Sequence, residues 1–155
     1  MNKIQIQRRD NSTPVGYDVD FAQWCAEQGA LLREGRFANL DRENLAEEIE
    51  SLGRNEKSEI ESRMGVLLLH LLKYRFQPDA RSSGWRGTIL EQRHRLARRL
   101  KDSPSLKGYP SEILDEEYEL ARLKASGETG LSESIFPEKC PFSLSDILDP
   151  GYLPE

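Results

Sequence analysis

Seven residues, Val66 to Leu72 (VLLLHLL), leave no polar face on a helix except at His70. A helix that is apolar all round must be enclosed by other elements, because no side of it is left for water. Crossing a bilayer takes about 20 apolar residues, so this short run is the middle of a folded core. The residues leading into it, NEKSEIESRMG, are charged except for a stripe at Ile60 and Met64 that continues through Leu67 and Leu71. The segment Asn55–Phe76 is therefore read as a central buried helix, with the other helical segments as its wrapping.

Those segments follow from apolar residues at i, i+3, i+4 and i+7 spacing. A first helix opens at Asp18 or Asp20, carries Phe21, Trp24, Cys25, Gln28, Leu31 and Leu32 on one face, and stops at Gly35. Asp41 caps a second, striped by Leu45, Ile49 and Leu52. An unbroken helix from Asp41 to Phe76 would run about 54 Å at 1.5 Å per residue, more than a domain of this size needs. The stripe keeps its phase across Gly53 into Ile60, Met64 and Leu67, which fits either one long bent helix or two helices joined at Gly53, and a break or sharp kink is the favoured expectation. Gln77-Pro78 ends the central helix. A fourth helix runs from about Trp85 to Lys101 with Trp85, Ile89, Leu96 and Leu100 inward, preceding a cap and first turn at Ser103-Pro104. A fifth spans about Pro110 to Ser126, closed by Gly127 and Gly130. Ser143 with Asp146 three residues on marks one short C-terminal turn. The expectation is an all-α, single-domain helical bundle of about five main helices plus a short C-terminal one. Residues 1–16 form a polar, poorly ordered leader, and 17–155 are the domain, with an irregular, proline-rich 128–155 packed on it.

Two cysteines, Cys25 and Cys140, stand far apart, which argues against a structural disulfide, and Cys25 reads as a small buried residue. The N-terminus has no apolar stretch of signal-peptide length, so a cytoplasmic location away from membranes is expected. The net charge of −5 is unevenly spread: residues 73–101 carry nine bases and two acids, residues 102–155 four bases and twelve acids. Such a basic segment either meets an acidic partner or is neutralised within the fold.

The strings YDVDFAQW, ALLREGRFANLDRENLAEEIESLGR, LLLHLLKYRFQP, GWRGTILEQR and DSPSL, with the closing ETGL…FPEKCPFSLSDILD…LP, resemble a bacterial domain-of-unknown-function family, number twenty-nine in its series. The resemblance covers Tyr17 to Pro154 and implies a helical, soluble, bacterial protein, with no activity to carry over. Gly84 stands where the family pattern has serine, so a site built on that serine would differ here.

Three constellations could carry chemistry. If the second and central helices pack antiparallel, Glu47 and Glu50 can face His70 and Lys73, as a carboxylate–imidazole pair for proton transfer or half a metal site. The plainer reading is a core histidine satisfied by a carboxylate. Glu91 and His94 have Glu-x-x-His spacing, but a di-metal bundle needs two such motifs. His70 has Leu67 in place of the second glutamate. The basic stretch 86–101, with Arg86, Arg93, Arg95 and Arg98 beside Trp85, has the cation-and-aromatic make-up of a single-strand nucleic-acid binder. Against that, a pI of 5.2 lacks the basic balance such a domain shows. No phosphate loop or nucleophile signature is present, and no cofactor or metal is implied. The resulting expectation is a non-enzymatic interaction or regulatory module. Its partner is another protein or a second copy; a Glu47–Glu50–His70–Lys73 pocket and nucleic-acid binding are the alternatives.

Overall fold

A computed structural model describes residues 13–155, so most of the polar leader lies outside the described residues. Every regular element among them is helical, and there is no strand. The described residues group into two compact units, divided between Ser51 and Leu52.

The first unit contains α1 (Phe21–Arg33) and the opening turns of α2 (Arg42–Phe76). Asp20, in extended backbone, accepts from the Gln23 amide at 3.0 Å and starts α1. Gly35, at φ 71°, makes the left-handed turn beyond its end. The unit is held at Asp41. Its Oδ2 accepts from Trp24 Nε1 at 3.1 Å, its amide donates to Gln28 Oε1 at 2.8 Å, and its side chain receives Asn44 at the start of α2. Hydrogen bonding by Asn44 holds the Asp41 carboxyl below the usual aspartate range; burial opposes this and the Trp24 bond reinforces it. The Tyr17, Phe21 and Trp24 rings pack together, Phe21 stacked on Trp24 at 5.8 Å. The inner face of α1 is Trp24 and Gln28, one turn apart. Cys25 lies one position off that line and is exposed, contrary to the buried reading.

The second expectation overturned concerns Gly53. α2 is helical without interruption for 35 residues, about 52 Å. A Cβ placed on Gly53 would meet nothing within 4 Å. The glycine therefore sits in open surroundings and has no turn to make. Helices two and three of the sequence reading are one.

In the second unit, the run predicted to be apolar all round is enclosed. Ile60, Met64, Leu67, Leu68, Leu71 and Leu72 are wholly buried. They meet Ile89 and Leu96 of α3 (Ser83–Asp102), Tyr118, Ala121 and Ala125 of α4 (Tyr109–Thr129), Phe136 and Phe142 beyond it, and Ile147 of α5 (Leu144–Leu148). Gly127 lies inside α4; Gly130, at φ 71°, ends it. Ser143 caps α5 by accepting from the Asp146 amide at 3.1 Å, as its spacing predicts. Ser103 makes no side-chain cap; Pro104–Leu106 form a separate 3₁₀ turn. Gly65 permits a close approach of α4: a Cβ there would lie 3.0 Å from Glu117 Oε2. Burial first, then Glu61 and Glu116, push the Glu117 carboxyl above the ordinary glutamate range.

Candidate functional site

His70 is half-buried on α2, and its Nδ1 lies 2.8 Å from the Val66 carbonyl one turn back. The ring is thus tied to its own helix. Lys73 donates to Glu128 of α4 at 2.8 Å and stands 4.9 Å from the centre of the Trp85 ring, where the π-face attracts its charge. Glu47 and Glu50 belong to the same continuous helix as His70. The antiparallel packing needed to pair them is absent, because no turn occurs at Gly53. Both glutamates have interactions of their own. Among the described residues, no three of His, Cys, Asp and Glu gather as a metal site would require.

The basic stretch becomes α3, and the helix distributes its cations over different faces. Arg93 turns inward. It is 3% exposed and donates from Nε to Ile147 O at 2.7 Å and from its two terminal nitrogens to Tyr152 O at 2.7 Å and Asp146 O at 3.1 Å. Burial lowers the pKa of its guanidinium, with Asp149 and Tyr152 opposing. Trp85 lies half-buried beneath Lys73, and Arg86 is exposed. Arg95 and Arg98 form i,i+4 pairs with Glu91 and Asp102 at 2.8 and 4.0 Å. Arg99 crosses to Glu56 of α2 at 3.0 Å. Much of the basic charge of α3 is thus answered by carboxylates within the unit.

Three clefts open on the second unit. One, of about 460 Å³, lies between α3 (Ser83, Arg86, Gly87, Ile89, Leu90, Arg93) and Pro150, Gly151 and Leu153. Another, of about 520 Å³, is lined entirely by charged or titratable side chains: Glu59, Arg63, His94, Arg95, Arg98, Arg99 and Asp102. There Arg63 holds Gln92 at 3.0 Å and Glu59, while its buried Nε has no partner. The third, of about 670 Å³, includes Tyr118, Arg122 and Cys140. Burial raises the Cys140 thiol pKa, which makes it a poor nucleophile, and burial pushes Tyr118 up to about 12. His70 and Lys73 line none of the three.

The remaining feature is apolar surface. In the first unit Val19 is 82% exposed, Phe37 63% and Ile49 66%, with Phe21 and Leu32 about half exposed. Trp24 is its only buried hydrophobic residue among those described. The spacing of Ile49 and Leu52 showed a helical stripe. It carried no information on whether this chain or another molecule covers that stripe.

The family model Domain of unknown function DUF29 matches residues 17–153. No curated protein and no solved structure matches the chain.

Proposed function

For this chain, which belongs to the DUF29 family, we propose the role of a non-enzymatic, cytoplasmic interaction module that docks a partner protein on its first unit. The observation that carries this reading is the apolar surface of that unit. Large apolar side chains scattered singly need no explanation, but a concentration of them marks an interaction surface. In this unit Val19, Phe21, Leu32, Phe37 and Ile49 are all exposed, while Trp24 is the one buried hydrophobic residue among those described. Among the described residues no helix is long and apolar enough to cross a membrane. The arginines of α3, divided among faces and largely paired, give nucleic-acid binding less support.

The test is site-specific photo-crosslinking in the cells that make the protein, with a photoreactive residue at Ile49 or Phe37 and a control at exposed Arg98. The reading expects one discrete protein adduct from the first two positions and none from the third. Equal, diffuse labelling from all three overturns it, as does no adduct at all.

A further inference from the structure

The cleft between α3 and the C-terminal residues has no carboxylate in its lining, whereas the second cleft holds Glu59 and Asp102 and the third Asp115, Glu119 and Glu138. Its walls are apolar, with Ile89 and Leu90 on one side and Pro150 and Leu153 on the other. It also holds cations without carboxylate partners. Arg86 is exposed and makes no ion pair among the described residues. Arg93 is almost wholly buried, and its three hydrogen-bond acceptors are neutral carbonyls. Buried charges are normally met by an opposite charge. Asp149 gives Arg93 some coulombic support, but its Oδ1 accepts from the Gly151 amide at 2.8 Å. Ser83 brings the first turn of a 20-residue helix to the same place, and with it a positive helix end. In the neighbouring charged cleft, by contrast, each arginine already has a carboxylate within 4.0 Å. Anion binding there would have to break those pairs.

We propose that the α3–C-terminal cleft binds a small amphipathic anion, a carboxylate at one end of an apolar chain. The carboxylate pairs with Arg86 within the positive field of Arg93 and the start of α3, and the chain lies against Leu90 and Leu153. Concave, mostly apolar sites of a few hundred Å³ with a few fixed polar groups are the usual form of small-ligand sites. Two sources share this chemistry, a free carboxylic acid and the C-terminal carboxylate of an apolar peptide. All of its lining belongs to the second unit, and the proposal does not rest on the docking role of the first.

The experiment titrates the full chain with octanoate, 1-octanol, and a leucine-ended tripeptide as free acid and as amide, following the backbone amides of Gly87 and Gly151 by NMR. Octanoate or the peptide acid is expected to shift both signals, identifying the source. Its uncharged counterpart should bind roughly tenfold more weakly or worse, the scale of one charge-assisted hydrogen bond. Arg86→Gln, a change at an exposed side chain, should weaken the acid by a similar factor. Gly87→Leu should fill the cleft and abolish the shifts at Gly151 while the chain stays folded, because a Cβ at Gly87 meets nothing within 4 Å. Failure of both acids to bind overturns the proposal. So do equal binding of acid and uncharged analogue, and acid binding left unchanged by either substitution.

Discussion

The guanidinium of Arg93 exchanges water for the carbonyls of Asp146, Ile147 and Tyr152, and so one side chain on α3 fixes the end of α5 and the residues after it. Lysine has a single charged nitrogen and cannot span three acceptors as the planar fork does. Arg93→Met should therefore destabilise the protein by about 2–4 kcal/mol, the range for carbonyls stripped of a charged donor less the relief of removing a buried charge. Urea unfolding measures the loss, and Arg93→Lys should recover less than half of it. In sequence Arg93 stands among the other basic residues of the 86–101 stretch. Its position was legible in principle: it is four residues after Ile89 and three before Leu96, which places it on the inner stripe. A long charged side chain on a buried face can be satisfied only by groups from elsewhere. Three carbonyls some fifty residues away leave no mark on local spacing. Asp41 is the opposite case. Its capping role is a local matter and could be read directly, whereas its bond to Trp24 could not.

At the scale of elements, α2 decides what the site can be. Glycine in a helix interior costs about 0.5–1 kcal/mol relative to alanine, which one long helix absorbs easily when apolar burial further along secures it. Spacing kept its phase across Gly53, and that phase was the signal of continuity; the expected break came from a length argument based on domain size. Once the helix runs through, the turn that would have folded Glu47 and Glu50 back toward His70 is missing. Because Gly53 is exposed and unencumbered, Gly53→Ala should stabilise the chain by about 0.5–1 kcal/mol, raising the midpoint of thermal unfolding by about 1–4 °C. A kink at Gly53 would instead make alanine neutral or harmful. The central run Val66–Leu72 was read correctly because burial on all sides leaves an unambiguous pattern. The exposed stripe at Ile49 and Leu52 has the same pattern as a buried one, and periodicity cannot distinguish them.

Across the whole molecule, the uneven charge noted in the sequence is partly answered inside the second unit, by Arg99 with Glu56 and by Lys73 with Glu128. Large apolar side chains stay exposed in both units, but in the first they stand beside a single buried one among the described residues, Trp24. If Phe37 and Ile49 serve a partner, they contribute little to folding, since both keep more than 60% of their surface in water. Surface substitutions away from buried contacts usually change stability by no more than about 0.5 kcal/mol each. The decisive measurement is the thermal unfolding midpoint of the Phe37→Ser/Ile49→Ser double variant beside the parent chain. The account predicts midpoints within about 3 °C of each other. A drop of roughly 10 °C or more would mean that these side chains hold the first unit together, and would contradict their assignment to a partner.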